Sequence, residues 1–320
     1  MQVRFWGTRG SIPVAAGGRA IREKIRRALV QAAGRSLETD AQIDSFIDDV
    51  LEFPVRHGYG GDTSCIQIES GKEPTLLDMG SGLRRFGQQI MGAEAAEPVR
   101  LFHIFMSHLH WDHIMGFPFF PPAYIPGNTI RIYGGHEPSV MEEAFERQQS
   151  NPCFPVYWDQ LGADIEFVHL APDRWHAING FRVKLMVQPH HGGSYGYRFE
   201  RDGKTLVYST DAEHKQQDDS GIGPFVDFFR NADLVVFDAM YSLAEMITVK
   251  EDWGHSSNVI GAELCLLAGV KHYCMFHHEP SYDDEMLHTI LQETRRYAEI
   301  VGEGKHLKIT TAYDDMVIDL

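Results

Sequence analysis

Short apolar runs alternate along this chain with segments whose apolar residues recur at helical spacing. Mostly apolar runs occur at 101–106, 233–237 and 270–276, and each ends where polar side chains begin. Short runs rich in β-branched and aromatic residues predict buried strands, and the periodic segments between them predict helices. Two successive sets of strands followed by helices indicate an α/β protein, a four-layer αββα sandwich with two sheets face to face and helices outside.

A helical hairpin interrupts this pattern between residues 17 and 55. Apolar residues recur at helical spacing in two stretches, at Ile21, Ile25 and Leu29 and then from Ile43 to Leu51. The first helix is basic and the second is acidic, and Thr39 to Gln42 fits the capping box that begins a helix. We expect one domain, residues 1–320, that carries 17–55 as a helical insertion, either a lid whose basic helix meets substrate or a dimer element.

The densest group of metal-binding side chains follows the predicted strand 101–106. Three imidazoles and one carboxylate occur within six residues, at His108, His110, Asp112 and His113. Buried without partners, each of these groups would lose its hydration, whereas a divalent metal ion satisfies them together. Two histidines two residues apart can converge on one ion while the next Asp and His turn toward a second, so one loop can serve two ions.

The string His-x-His-x-Asp-His resembles the signature of the metallo-β-lactamase superfamily. Later strand-like runs each end at a polar residue in the order of that family, at His190, Asp211 and His277. The segment 7–13, Gly-Thr-Arg-Gly-Ser-Ile-Pro, is similar to the opening loop of the phosphodiesterase-like branch, which includes the tRNA 3′-end processing nucleases. Segments 60–65 and 77–82 match the next two strand-edge motifs of that branch. The resemblance extends from Phe5 to the last residue.

This resemblance, together with the spacing, implies a set of ligands. The first ion would take His108, His110 and His190, the second would take Asp112, His113 and His277, and Asp211 would bridge both. His191 and His278, each beside an assigned ligand, remain alternatives. Asp112 would also accept a proton from the nucleophile. Asp78 is expected to bond loop amides behind the metals.

A histidine after the ligand Asp211 separates subclasses of the superfamily. The segment Gly254-His255-Ser256 is similar to the one that carries a proton-donating or phosphate-stabilising histidine in the nuclease and phosphodiesterase branch. Protonated, His255 could stabilise a phosphorane-like transition state or protonate the leaving oxygen, which is typically worth about 10²–10⁴-fold in rate. We therefore expect His255 to be catalytic.

Two aromatic segments are expected near the cleft. Residues 116–124 are rich in proline and aromatic side chains, which excludes a regular helix there. Residues 151–158 carry Phe154, Tyr157 and Trp158. Both segments are candidates for pocket walls, and a ring from either could face a base or another planar group.

The donors are nitrogen and oxygen atoms, which favours two Zn²⁺ ions, with Mn²⁺ or Fe²⁺ as alternatives. A water held between two such ions becomes hydroxide near neutral pH, because zinc lowers its pKa from 15.7 to about 7. The sequence thus predicts a binuclear metal-dependent hydrolase. The preferred activity is a phosphodiesterase that cleaves a small phosphodiester, such as a cyclic nucleotide, through a metal-bridging hydroxide; hydrolysis of lactones, esters or amides is the alternative.

The composition limits the binding partners and the cellular compartment that we expect for this protein. The net charge of −16 argues against extended nucleic acid as a substrate. A protein with this net charge can still carry a local basic patch around its active site. The four cysteines have no C-x-x-C spacing and are expected to be core thiols in a reducing compartment. No run reaches the roughly 18–20 apolar residues of a membrane span, and no secretory signal begins the chain. We expect a cytoplasmic protein without membrane contact, and a homodimer is an option.

Overall fold

The computed structural model describes residues 1–69, 73–92, 99–214, 219–248 and 253–320. Within these residues, fourteen strands form two seven-stranded sheets, ordered β14-β1-β2-β3-β4-β5-β6 and β13-β12-β11-β10-β9-β8-β7. The strands are β1 (Gln2–Gly7), β2 (Cys65–Glu69), β3 (Thr75–Leu77), β4 (Leu101–Phe105), β5 (Thr129–Gly134), β6 (Asp164–His169), β7 (Trp175–Ile178), β8 (Phe181–Gln188), β9 (Ser194–Arg201), β10 (Lys204–Ser209), β11 (Leu234–Asp238), β12 (His272–Phe276), β13 (Lys308–Thr311) and β14 (Val317–Asp319).

Helices connect and cover these strands. They are α1 (Gly18–Ala32), α2 (Asp40–Ser45), α3 (Phe53–Arg56), α4 (Leu83–Gly92), α5 (Trp111–Ile114), α6 (Pro138–Gln148), α7 (Asp219–Phe229), α8 (Leu243–Thr248), α9 (Asn258–Ala268) and α10 (Asp284–Val301). A π-helical turn follows α2 at Phe46–Val50, and 3₁₀ turns occupy Phe117–Phe119, Pro121–Tyr124 and Trp158–Gln160. Among the described residues, no helix is both long and apolar enough to cross a bilayer.

The two sheets pack against each other through a buried apolar layer. The rings of Phe105 from the first sheet and Phe199 from the second lie 5.0 Å apart, edge to face. The outer face of the first sheet packs against α4 and α6, where Phe86 and Phe145 are buried, and the second sheet is covered by α7, α9 and α10. The four-layer αββα sandwich predicted from the sequence is therefore confirmed.

The loops that carry the candidate metal ligands leave equivalent strand ends. Strands β10, β11 and β12 are parallel. Strand β8 runs in the same direction as β10, because each pairs antiparallel with β9 between them. In the first sheet, β4 pairs parallel with β3 and β5. Polar residues after the carboxyl ends of β4, β8, β10 and β12 can therefore meet at one edge of the sandwich.

The hairpin predicted between residues 17 and 55 is present, and its capping box is confirmed. The Thr39 hydroxyl accepts from the amide of Gln42, whose side chain accepts from the Thr39 amide. A small apolar cluster joins the two halves of the hairpin, formed by Ala28, Ala32, Leu37, Phe46, Leu51 and Val55. Helix α1 itself contains no buried residue.

Candidate metal centre

A first group of nitrogen donors forms where the loops after β4 and β8 meet. Donor atoms of His108, His110 and His190 all lie within 4.8 Å of one another. The closest contact is 3.1 Å, between Nδ1 of His110 and Nε2 of His190. The Nδ1 atom of His190 donates to the carbonyl of Gly254 at 2.7 Å, so the Nε2 atom carries the lone pair that points inward. This group could hold one cation.

A second group lies beside the first. Its donors are Asp112, His113 and His277, again within 4.8 Å of one another. The Nε2 atoms of His113 and His277 are 3.2 Å apart, and each lies 3.3 Å from Oδ2 of Asp112. Two histidines from loops more than 160 residues apart in sequence therefore share one carboxylate oxygen. This group could hold a second cation.

Asp211 lies between the two groups and presents one oxygen to each. Its Oδ2 atom is 3.6 Å from Nε2 of His108 and 3.8 Å from Nε2 of His190. Its Oδ1 atom is 3.3 Å from Nε2 of both His113 and His277. Asp211 has a φ of 49°, a left-handed conformation that costs free energy in a residue with a side chain and is common at functional sites. The geometry suits a carboxylate that bridges two ions.

A buried nitrogen of the site has no hydrogen-bond partner among the described residues. The Nε2 atom of His108 is buried and has no hydrogen-bond partner within the described part of the chain. Burial and the neighbouring His113 lower the pKa of His108, so this nitrogen keeps its lone pair. Burial acts to raise the pKa of Asp211, but the charges of His277 and His113 outweigh it and lower that pKa. Converging lone pairs and carboxylates fit divalent metal ions.

Asp78 orients the second group from behind. Its Oδ2 atom accepts from Nδ1 of His113 at 2.8 Å and from the hydroxyls of Ser107 and Tyr208 at 2.7 Å. Its Oδ1 atom accepts from the Ser107 amide at 2.7 Å. Because Nδ1 of His113 donates to Asp78, its Nε2 atom is left as the electron-pair donor toward the site. The role expected for Asp78 behind the metals agrees with these contacts.

The opening loop reaches the same centre through its backbone. The amide of Ser11 donates to Oδ2 of Asp112 at 2.8 Å. A Cβ atom at Gly10 would lie only 2.5 Å from Nδ1 of His277, so that imidazole packs directly on the glycine backbone. The opening loop therefore supports two donors of the second group.

His255 faces the site and is paired with an acid that the sequence analysis did not assign. Its Nδ1 atom lies 2.9 Å from Oδ2 of Asp238 and 3.9 Å from Oδ2 of Asp211. Burial acts to lower the pKa of His255, but Asp238 outweighs it and the pKa rises to about 9. Asp238 also accepts from the amides of Ala212 and Met240. Asp238 follows a buried apolar strand, as the donor residues do, and this position in the sequence could have identified it.

The two alternative histidines lie elsewhere. His278 is buried and donates from Nε2 to the carbonyl of Ala312 at 2.8 Å. Burial and the charge of Arg9 lower the pKa of His278 to about 3. His191 is exposed. The structure places His190 in the first donor group and His277 in the second. Among the described residues, neither His191 nor His278 belongs to a group of three donors.

The aromatic segments form a groove beside the loop that carries His108 and His110. Phe119 and Phe154 contact edge to face at 5.6 Å, and with Trp111 they line a cavity of about 540 Å³. Trp158 does not line this groove: its partly buried ring stacks on Phe167 and packs against the core of the first sheet.

Comparison with known proteins agrees with this architecture. The family model of the beta-lactamase superfamily domain matches residues 75–278, which include both donor groups and Asp211. Ribonuclease Z of Prochlorococcus marinus (strain AS9601) is 22% identical, over 69% of this chain and 83% of the relative.

Two solved structures share the fold across the whole chain. The metallo-beta-lactamase fold protein YhfI from Bacillus subtilis is 17% identical, with a TM-score of 0.63 over 99% of this chain and 98% of its own. The short form of human tRNase Z is 19% identical, with a TM-score of 0.60 over 100% of this chain and 99% of its own. Since the matching family model spans more than half of the sequence, the chain belongs to the beta-lactamase superfamily.

Proposed function

We propose that this superfamily hydrolase is a binuclear metal-dependent phosphodiesterase. One ion would bind His108, His110 and His190, the other would bind Asp112, His113 and His277, and Asp211 would bind both. One observation carries the proposal: Asp211 lies between the two donor groups, and His255 lies 3.9 Å from the same carboxylate.

Two divalent ions at these groups would polarise a phosphoryl oxygen as Lewis acids and would lower the pKa of a water molecule. We propose Zn²⁺ as the resident metal, because imidazole and carboxylate donors suit it. Mn²⁺ and Fe²⁺ accept the same donors, so metal analysis of the purified protein decides among them.

Asp112 is proposed to accept a proton as well as to bind metal. Burial acts to raise its pKa, but the electrostatic and hydrogen-bond interactions with His113 and His277 together outweigh burial and hold the pKa below its ordinary value. The carboxylate is therefore ionised at neutral pH, and the Ser11 amide fixes its orientation through Oδ2. An ionised, fixed carboxylate can take the proton that a nucleophile releases.

His255 is proposed to stabilise the transition state or to protonate the leaving oxygen. With a pKa of about 9, its imidazole is protonated at neutral pH. Phosphoryl transfer spreads negative charge over the oxygens of the transferred group, and a fixed cation stabilises that charge. This buried cation favours a phosphodiester over the lactone, ester or amide substrates that the same metals could also serve.

For the substrate, we propose a small phosphodiester such as a cyclic nucleotide. The net charge of −16 supports a small substrate, because a long nucleic acid would be repelled outside a local basic mouth. The name of the curated relative, ribonuclease Z, supports an RNA phosphodiester as the second candidate.

We further propose that the protein works in a reducing compartment such as the cytoplasm. All four cysteines are free thiols, and three of them, Cys65, Cys265 and Cys274, are buried. Burial raises the pKa of the Cys265 thiol and keeps it protonated and unreactive. Thiols that play no structural part as disulfides are typical of reducing compartments.

A substrate panel tests the proposal. The protein, stripped of metal and reloaded with Zn²⁺, should hydrolyse bis(p-nitrophenyl) phosphate, and cyclic nucleotides, linear dinucleotides and precursor tRNA then rank the natural classes. Asp211→Asn should bind fewer ions and lose turnover. Hydrolysis of lactones or β-lactams without any phosphodiester cleavage would contradict the proposal. For His255, full phosphodiesterase turnover by His255→Ala with both ions bound would contradict its catalytic role.

A further inference from the structure

Helix α1 exposes an unusual apolar stripe. Ile21, Ile25 and Leu29 are 47%, 55% and 67% exposed, and their spacing of four residues places them along one side of the helix. The helix has no buried residue and no side-chain cap at its N-terminus. A fifteen-residue helix is only marginally stable in water without tertiary packing of its apolar side. Burial of this stripe against a partner would therefore add to the stability of α1.

The second half of the hairpin exposes a similar stripe. Ile43, Ile47 and Val50 are between 36% and 39% exposed, whereas Phe46 and Leu51 turn inward to the small apolar cluster of the hairpin. The hairpin thus presents two stripes of large aliphatic side chains to solvent. Contiguous exposed aliphatic surface in a water-soluble domain is characteristic of interaction sites.

Opposite charges flank the two stripes. Exposed arginines accompany the first stripe, at Arg19, Arg22 and Arg26, and exposed aspartates accompany the second, at Asp40, Asp44 and Asp48. In the part of the chain that the structure describes, no ion pair joins Arg19, Arg22, Asp40 or Asp44 to another residue. Each half of the hairpin therefore complements the other half in charge as well as in hydrophobicity.

We propose that this hairpin, residues 18–50, is a homodimer interface in which α1 of one protomer packs against α2 and the π turn of its partner. A two-fold axis repeats the same contact with the roles exchanged, so both apolar stripes are buried and every arginine row faces an aspartate row. A second copy of this chain is the partner that satisfies both halves at once, whereas an RNA or another anion would match only the basic half.

Contacts within the chain hold the hairpin as a fixed surface. Nζ of Lys24 lies 2.6 Å from Oδ2 of Asp284, at the start of α10, and 2.7 Å from the carbonyl of Pro54. Arg27 pairs with Glu285 one residue further along α10. Because two basic residues of α1 are already bound to α10, the helix is oriented before any partner arrives, which suits a docking surface better than a swinging lid.

Sedimentation equilibrium of the full-length, metal-loaded protein tests the interface. The wild-type protein should be a dimer. Ile25→Asp combined with Leu29→Asp should raise the dimer dissociation constant by about 100-fold or more, since buried aliphatic anchors dominate interface energetics. Val140→Asp is the matched control, because Val140 is 47% exposed and lies on α6, outside the hairpin. It should leave the dimer intact.

A charge-exchange experiment tests the pairing without touching the apolar side chains. One variant carries Arg19→Glu and Arg22→Glu, and the other carries Asp40→Lys and Asp44→Lys. Each alone should dimerise weakly, since like charges then face each other, and mixing them should form heterodimers in which all facing rows are opposite. A wild-type protein that stays monomeric at the highest soluble concentration overturns the proposal. A dimer that none of these variants weakens also overturns it, whether or not α1 binds RNA.

Discussion

Nδ1 of His255 lies 2.9 Å from Oδ2 of Asp238, which pairs a buried imidazole before α9 with a carboxylate at the end of β11. This pairing sets the protonation state of the imidazole. The same carboxylate is held by the amides of Ala212 and Met240, so it cannot turn away from the ring. The charge on His255 is therefore fixed by a residue that need not touch substrate.

Replacing Asp238 should move the alkaline limit of activity. The pKa of His255 is about 9, so its proton is present at neutral pH and is lost as the pH rises through 9. In Asp238→Asn the largest cause that raises this pKa is removed, and the limb of the kcat profile should move toward the ordinary histidine pKa of about 6.5. The kcat–pH profile measures the shift. His255→Gln, which has no proton to lose here, should show no such limb; an unchanged limb in Asp238→Asn counts against the pairing.

Adjacent histidines should behave differently in metal binding. His190 points Nε2 into the first donor group, whereas its neighbour His191 is exposed. His190→Ala should lower the metal content from two ions to one and reduce turnover by about 100-fold or more. His191→Ala should keep both ions. Metal analysis by mass spectrometry after gel filtration distinguishes the two, and equal losses would contradict the assignment.

A methyl group at Gly10 should disturb the second donor group. Its Cβ would lie 2.5 Å from Nδ1 and 2.6 Å from Cε1 of His277, so the ring must shift. Gly10→Ala should weaken metal binding by about 10–100-fold, the range typical when the support of a ligand is lost. Gly17→Ala in the same loop is the control, because nothing lies within 4 Å of its Cβ and its φ is −69°. Competitive chelator titration measures both variants, and equal affinities would refute the packing argument.

His272 should make folding weaker in acid. Burial and the nearby Lys308 lower its pKa to about 4, below the unfolded value of about 6.5. Between these values the unfolded chain binds the extra proton, so stability falls as the pH falls through this window. Relative to about pH 7.5, His272 should cost about 2 kcal/mol at about pH 5.

His272→Gln should lose that acid-dependent part while keeping a donor for Thr310, which Nε2 of His272 contacts at 2.8 Å. Urea unfolding of both proteins at the two pH values measures the difference. Other buried histidines, such as His214, titrate equally in both proteins and cancel. A wild-type protein and variant with the same dependence on pH would show that His272 does not contribute.

The local pattern of the sequence was enough to predict the layers and the main donor loop. Each donor follows a strand, and the end of a strand is visible as an apolar run that stops. The capping box at Thr39 was likewise readable, because a cap depends on residues within one turn. Short edge strands such as β7 and β14 lacked so clear a pattern and were not predicted.

Contacts between distant segments could not be predicted in this way. The bond from the Ser11 amide to Asp112 joins residues 101 positions apart and depends on how the two sheets pack. The choice between His277 and His278 depends on the path of one loop, in which His277 has a φ of 61° and His278 turns back to Ala312. Because adjacent histidines have the same side chain, only the path of the backbone decides which of them reaches the site.

The second donor group draws on Asp112 and His277, which are 165 positions apart. During synthesis, the ribosome must therefore add 165 residues after Asp112 before this group can exist, whereas His108 and His110 emerge close together. If these residues bind two metal ions as proposed, the second ion can therefore bind only after the two halves of the sandwich have closed on each other.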